Sequence, residues 1–279
     1  MYELKAGDDT SFRAYSIGDN EELYVRAERA FATGEFQEGI DLFAYLAHVG
    51  DPKAQTRLGA IAEAGQLVKK DTKHARALYQ AAVDHDFAEA QLALARMYYK
   101  GIGVAKDLAR AASLFLMAAE KGNKHGQYRL GEMLWAGHGV PRNAEQAAHW
   151  ITLAADQGHP KAQNWLGLAY VEGNGKPEDP VAAFEWFYKA AVKGHAEAQA
   201  MVGAAYHGGE GVTQDHELAR EWSIKAAEGG YVNAAFMLDI FYPDPVHGPR
   251  MRPDITPPGL KLMRTLAKKE RRARTRNGH

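Results

Sequence analysis

The chain has 279 residues, of which 46% are hydrophobic and 25% charged, so it can bury a core and is not a disordered polypeptide. It has no cysteine, which excludes disulfides, thiolate nucleophiles and zinc or iron–sulfur sites built on cysteine sulfur. Residues 261–279 hold eight Lys/Arg and one Glu, a charge of +7, and the net charge of −1 therefore leaves −8 for the other 260 residues.

The start of the chain lacks the features of a targeting signal. It has no basic start followed by an apolar run, and no stretch of the sequence approaches 18 uninterrupted apolar residues. We therefore expect no membrane insertion and a cytoplasmic protein. Residues 1–20 are interpreted as an N-terminal tail, and residues 21–51 predict a degenerate helix pair that caps the N-terminal end of the fold.

From residue 52 the sequence repeats itself every 36 residues. Three residue types recur five times at this spacing: Gln55, Gln91, Gln127, Gln163 and Gln199; Gly65, Gly101, Gly137, Gly173 and Gly209; and Ala75, Ala111, Ala147, Ala183 and Ala219. Chance would not keep three residue types in phase over five units, so the fold is that of a repeat protein.

Each repeat predicts two helices, which we call A and B. In the second repeat Ala90, Leu94 and Tyr98 fall at i, i+4 and i+8, which is the apolar stripe of a helix A. A Gly-x-Gly turn then ends helix A, and an Asp or Asn caps the free backbone N–H groups of helix B. The predicted caps are Asp71, Asp107, Asn143, Asp179 and Asp215.

Two further positions of the repeat predict how the helices pack. A glycine inside helix A is costly to the helix and indicates close helix–helix approach, and a tryptophan in helix B is expected to anchor the core. The glycines are Gly59, Gly131, Gly167 and Gly203, and the tryptophans are Trp150, Trp186 and Trp222.

These residues carry a resemblance to a known family. The pattern A-x-x-x-L-G-x-x-Y-x-x-G-x-G-V, followed by D-x-x-x-A-x-x-W-x-x-x-A-A-x-x-G, resembles the Sel-one-like repeat (SLR) family, a relative of the tetratricopeptide repeats. The resemblance covers residues 52–242, as five repeats and a partial sixth. It implies an all-α fold, a right-handed α-solenoid of helix-pair repeats with a 36-residue period, and an adaptor or scaffold function.

The end of the chain departs from the repeat. Six prolines between residues 243 and 258 predict an irregular or extended linker. Residues 259–279 predict a basic C-terminal helix or tail. Either this tail binds nucleic acid or an anionic surface, or it is a solvated terminus, since it lacks aromatic residues for base stacking. We expect no nucleic-acid binding elsewhere in the chain.

Two patterns that resemble chemical sites are better explained by the repeat. A phosphate-binding loop follows a strand, whereas the Gly-x-Gly turns follow helices and recur in every unit. His159 and His195 belong to different repeats, about 10 Å apart, which is too far to share a zinc ion bound at about 2 Å. We therefore expect no catalytic residues, no metal and no cofactor, and a protein that is not an enzyme.

The surface of helix A that faces away from the core predicts a partner-binding site. If positions 0, 4 and 8 of helix A face the core, positions 2, 6 and 9 turn toward the concave face. The predicted partner-binding residues are Leu92, Arg96, Tyr99, Tyr128, Glu132, Trp135, Asn164, Leu168, Val171 and His207. The repeat does not require the tryptophan at position 135, which is either an exposed binding anchor or a residue packed between repeats.

The sequence therefore predicts a non-catalytic scaffold or adaptor that binds a protein or peptide partner on its concave face. One alternative is an immunity-type neutraliser that covers a basic bacterial toxin with its acidic body. The other is an enzyme or small-molecule binder in the groove. Binding through an acidic surface weakens sharply with salt, whereas anchoring by aromatic side chains does not.

Overall fold

The structure, a computed structural model, describes residues 19–173 and 176–234 together with Tyr2 and Leu238. The chain forms twelve α-helices within these residues. They are α1 (Asn20–Thr33), α2 (Phe36–His48), α3 (Pro52–Ala64), α4 (Thr72–Asp84), α5 (Ala88–Lys100), α6 (Leu108–Glu120), α7 (Lys124–Ala136), α8 (Ala144–Asp156), α9 (Pro160–Glu172), α10 (Pro180–Ala191), α11 (Ala196–Gly208) and α12 (His216–Glu228). The predicted linker 243–258, the basic segment 259–279 and most of the tail 1–20 lie outside the described residues.

The helices pack in sequence order within two compact units, Met1–Trp150 and Ile151–His279, and α8 spans the boundary between them. In the first unit consecutive helices contact each other from the pair α1 and α2 to the pair α6 and α7. In the second unit consecutive helices contact each other from the pair α9 and α10 to the pair α11 and α12. The predicted all-α fold of successive helix pairs, an α-solenoid, is confirmed. The pair α1 and α2 occupies the segment predicted to hold a degenerate repeat.

The helix ends agree with the predicted capping residues. In four repeats the aspartate carboxylate accepts a backbone N–H of the first turn of helix B, as Asp107 does from Arg110 at 2.9 Å, and Asn143 does so from Gln146 at 3.0 Å. The glycine that ends each helix A adopts the left-handed conformation, with φ between 66° and 72°. Local sequence therefore determines where these helices start and stop.

The second glycine of the Gly-x-Gly turn has a different role, which the sequence did not predict. It lies against the first residue of helix B in the preceding repeat. The pairs are Gly103 with Thr72, Gly139 with Leu108, and Gly211 with Pro180. A Cβ atom on Gly211 would overlap the carbonyl oxygen of Pro180 and lie 2.8 Å from the backbone nitrogen of Val181. This glycine therefore sets the distance between neighbouring repeats.

The glycine inside helix A permits the predicted close approach to helix B. A Cβ atom on Gly59 would lie 2.8 Å from the ring of Tyr79, and one on Gly167 would overlap the ring of Phe187. The aromatic side chain thus fills the space where a glycine has no side chain. Tyr79 and Phe187 are among the most buried residues, exposed by 1% and 2%.

This packing corrects the prediction that the helix-B tryptophans anchor the core. Trp222 is buried, but Trp150 and Trp186 are only half-buried. The core position is the next residue along the chain, and in three repeats it lies against the glycine of helix A, as Tyr79 does against Gly59. It is Tyr79, Phe115, Ile151, Phe187 and Ser223 in the five repeats, all of them buried.

The recurring glutamine ties each helix A to the end of the helix B before it. The side-chain amide donates a hydrogen bond to a carbonyl oxygen eight residues earlier, at 3.1–3.2 Å, in α3, α7, α9 and α11. Each of these carbonyl oxygens also accepts the backbone N–H of the glycine three residues further on, as Ala191 does from Gly194 at 2.9 Å, so the glutamine supplies a second hydrogen bond to an acceptor with two lone pairs. Gln91 differs, since its amide donates to the Asp86 carboxylate at 2.9 Å.

None of the described helices combines the length and the apolar character needed to cross a membrane.

Candidate functional site

Trp135 is the most prominent of the predicted partner-binding residues in the first unit. It lies in the last turn of α7, is half-buried, and packs against the core cluster that contains Leu134 and Tyr98. The Arg142 guanidinium lies 5.6 Å from the centroid of its ring. Part of the indole is therefore packed and part is accessible, so each of the two interpretations of Trp135 describes one part of its ring. Its neighbour Tyr99 is also half-buried against this cluster.

Arg96 is exposed and held in place by a carboxylate from the preceding helix A. Its guanidinium forms an ion pair with Glu63, whose side chain is 12% exposed. The Tyr79 hydroxyl donates to the same carboxylate at 3.0 Å. Burial first, and then the charge of Glu63, raise the pKa of Tyr79, so its hydroxyl stays protonated and keeps donating. This cluster fixes the direction of Arg96 at the surface.

Tyr128 departs from the prediction, because its side chain is buried rather than presented to a partner. Its hydroxyl donates to Glu132 at 2.7 Å, and the Arg129 guanidinium lies 5.8 Å from the centroid of its ring and donates to Glu132 at 2.8 Å. Glu132 is half-buried. Tyr128 is therefore buried and orients the Glu132 side chain through this hydrogen bond, rather than contacting a partner itself.

Asn164 is the second departure, since it is 4% exposed and lies between α9 and α11 of the second unit. Its side-chain amide donates to the Glu197 carboxylate at 3.1 Å. Burial raises the pKa of Glu197, and this hydrogen bond opposes the rise. No sequence pattern marks Glu197, because its partner is 33 residues away on the neighbouring helix A, as Glu63 is from Arg96.

The remaining predicted residues lie partly at the surface. Leu92 packs against the core of the first unit, and Leu168 and Val171 pack against the core of the second, all three half-buried. His207 is half-buried and its ring lies 5.1 Å from that of His216. These side chains offer mixed apolar and polar contact area, which suits binding rather than catalysis.

The two loop histidines cap helices. The Nδ1 atom of His159 accepts from the backbone N–H of Ala162 at 3.3 Å, and that of His195 accepts from Ala198 at 3.2 Å. An accepting Nδ1 must be unprotonated. Burial and the nearby charge of Lys161 both lower the pKa of His195, which favours that state.

No group of three or more acidic or histidine side chains comes together as a metal-binding cluster within residues 19–173 and 176–234.

Helix pairs of 36 residues, each with a capped helix B and a glycine-ended helix A, define a helical-repeat protein of the tetratricopeptide-like class. The family model for the Sel1 repeat matches five consecutive segments: residues 52–87, 88–123, 124–159, 160–195 and 196–231. The chain belongs to the Sel1 repeat family. Sel1 repeats are generally protein–protein interaction scaffolds, and the fold is typically non-catalytic.

Several solved structures share this fold. A protective antigen from uropathogenic Escherichia coli that displays an SLR fold is 28% identical, with a TM-score of 0.75, over 88% of this chain and 54% of that one. A Sel1 repeat protein from Oxalobacter formigenes is 24% identical, with a TM-score of 0.74, over 86% of this chain and 100% of that one. An immunity protein from Pseudomonas aeruginosa is 19% identical, with a TM-score of 0.50, over 82% and 88%.

These similarities differ in what they support. The similarities to the Oxalobacter formigenes and Pseudomonas aeruginosa proteins, at 24% and 19% identity, show a shared fold alone. The chain spans only about half of the Escherichia coli protein. No curated protein matches the chain.

Proposed function

We propose that the chain is a non-catalytic scaffold that binds a protein or peptide partner through the predicted concave face of its A helices, with Trp135 as the anchor of the first unit. The observation that carries this proposal is the half-buried indole of Trp135 beside the Arg142 guanidinium. Tryptophan, tyrosine and arginine dominate the binding energy of protein interfaces, and a side chain already packed on one side loses little freedom on binding.

Each unit has its own proposed contact surface, formed by the predicted residues that are at least partly accessible. In the first unit these are Leu92, Arg96, Tyr99, Glu132 and Trp135, and in the second unit Leu168, Val171 and His207. The buried Tyr128 and Asn164 lie beneath these surfaces, where Tyr128 donates a hydrogen bond to Glu132 and Asn164 donates one to Glu197. The proposal takes the protein to act in the cytoplasm, as the sequence predicts.

Trp135→Ala tests the proposal, with Trp186→Ala as its matched control. Trp186 is also a half-buried tryptophan with a cation over its ring, Lys189 at 4.0 Å, but it belongs to helix B. We expect Trp135→Ala to reduce recovery of the partner in affinity purification with mass spectrometry by at least about tenfold, since loss of a central aromatic anchor costs about 2 kcal/mol or more, which is about thirtyfold in affinity. Trp186→Ala should keep the partner.

The melting temperatures of the two variants decide what a loss of binding means. Comparable melting temperatures with loss of the partner only in Trp135→Ala support the proposal. If both variants keep the partner, the surface of helix A around Trp135 is not the binding site. If both lose it to the same extent, the loss reflects folding.

A second candidate, the neutraliser of a basic toxin, is favoured by the charge of the repeats in the described part of the second unit. Residues 151–234 hold eleven Asp/Glu and six Lys/Arg, a net charge of −5. Capture by an acidic surface should weaken steeply as salt shortens the Debye length from about 10 Å at 0.1 M to about 3 Å at 1 M. Partner binding that persists at high salt and depends on Trp135 would instead favour the scaffold.

A further inference from the structure

A buried amide and a half-buried carboxylate meet between two A helices of the second unit. Asn164 of α9 is 4% exposed, and its Nδ2 atom donates to Oε2 of Glu197, in the first turn of α11, at 3.1 Å. We infer that Asn164 and Glu197 form a binding site for a cationic side chain, a lysine or an arginine. Assigning that side chain to a bound partner rests on the proposed function.

The repeat does not account for this pair. The position of Glu197 holds Lys53, Glu89, His125 and Lys161 in the other repeats, and the position of Asn164 holds Thr56, Leu92, Tyr128 and Ala200. An acidic residue in the first turn of a helix interacts favourably with the helix dipole, but Glu89 does this for α5 while its side chain is exposed. The burial of Glu197 against Asn164 is a feature of this site alone among the described repeats.

The pair offers acceptors without a matching donor. Among the described residues no Lys, Arg or His forms an ion pair with Glu197. The Oδ1 atom of Asn164 is buried and accepts no hydrogen bond from any described residue. It belongs to the same amide group as the Nδ2 atom that contacts Glu197, so the two acceptors are neighbours. A buried acceptor without a partner is costly, and a second acceptor beside it adds to that cost.

A lysine or arginine side chain supplies what this site lacks. It brings a positive charge to a carboxylate that burial has removed from water, and its several N–H groups can reach more than one acceptor. Burial raises the pKa of Glu197, and a bound cation would lower it again.

The cation has two possible sources with the same chemistry. One is a basic side chain of a separate partner. The other is the C-terminal segment of this chain, which holds eight Lys/Arg within residues 261–279. Both are recognised by the same acceptors, so the experiment must separate them.

A titration of the full chain with small probes tests the site directly. The probes are Nα-acetyl-arginine amide and Nα-acetyl-lysine amide, with the uncharged Nα-acetyl-citrulline amide as the control. NMR monitors the side-chain amide signals of Asn164 and the carboxyl carbon of Glu197. We expect a saturable shift with at least one cationic probe and none with citrulline. The affinity should fall about tenfold in Glu197→Gln and stay unchanged in Glu89→Gln, because only the first removes a charge at the site.

Three results would overturn the inference. In the first, citrulline amide would shift the Asn164 signals as much as the cationic probes do. In the second, the Glu197→Gln variant would bind the cationic probes as tightly as the unaltered chain does. In the third, the Glu197 carboxyl of the free chain titrates above pH 7, which would make the pair a neutral hydrogen-bonded contact.

Replacing the eight basic residues of 261–279 with glutamine, in the full chain, separates the two sources. Tighter binding of the probe in this variant identifies the tail as the competing occupant, and unchanged binding identifies a separate partner. The probe needs no partner, so the site and the proposed function fail separately. Partner capture that survives Trp135→Ala counts against the function, and absence of a probe shift counts against the site.

Discussion

Gly211 allows a direct test of how neighbouring repeats are spaced. Gly211→Ala places a methyl group where it overlaps the carbonyl oxygen of Pro180, the first residue of α10. Gly194→Ala is the matched control in the same unit. Both glycines have positive φ, 72° and 82°, but a Cβ atom at Gly194 has nothing within 4 Å. The two variants therefore share the backbone strain and differ only in the clash.

The structure gives the expected size of each effect. A left-handed non-glycine residue costs about 1 kcal/mol, which applies to both variants. Overpacking adds about 1–3 kcal/mol, and the higher part of that range fits a clash with backbone rather than with a flexible side chain. We expect a loss of about 1 kcal/mol for Gly194→Ala and about 2–4 kcal/mol for Gly211→Ala.

Urea unfolding monitored by far-UV circular dichroism measures the difference. With an m-value of about 2 kcal/mol/M, the clash separates the midpoints of the two variants by about 0.5–1.5 M. Repeat arrays can unfold in more than one step, so the comparison uses the transition that changes between the variants. Equal midpoints would refute the conclusion that the second glycine sets the distance between repeats.

The helix ends give three further predictions. Gln199→Leu removes the side-chain hydrogen bond to the Ala191 carbonyl, which still accepts the Gly194 N–H, and should cost about 0.5–1.5 kcal/mol in urea unfolding; a loss near zero would mean that this glutamine does not stabilise the helix junction. Asp179→Ala should cost about 1 kcal/mol as a lost helix cap, whereas Asp179→Asn should keep most of the stability. The folded state lowers the pKa of His195, so the contribution of this side chain to the free energy of unfolding is complete above the unfolded pKa of about 6.5 and is lost as the pH falls below it. We therefore expect the melting temperature to vary less between pH 7 and pH 5 in His195→Asn than in the unaltered chain. The same dependence of melting temperature on pH in both proteins would contradict this expectation.

Much of the fold could be predicted because it depends on contacts that are local in sequence. An Asp or Asn cap reaches backbone N–H groups two or three residues away, and a glycine ends a helix through its own φ angle. Repetition of these signals every 36 residues then identifies the helix pairs without any knowledge of packing.

The candidate site could be predicted only in part, for a physical reason. A helical wheel treats one helix at a time, so it places Tyr128 and Asn164 on the same face as Trp135. What buries them comes from elsewhere in the fold: Glu197, which receives the Asn164 amide, is 33 residues away on the next helix A. The pair Arg96 and Glu63 is separated in the same way.

The sequence by itself determined the repeat, the helix ends and the family, because each rests on spacing within one unit. Only the tertiary structure decided what depends on the distance between helices. It placed the residue after the helix-B tryptophan, such as Phe187, against the helix-A glycine. It gave the second turn glycine and the recurring glutamine their roles, and it left Trp135 half-accessible. These outcomes depend on atoms from two or three helices at once, and no single helix carries that information.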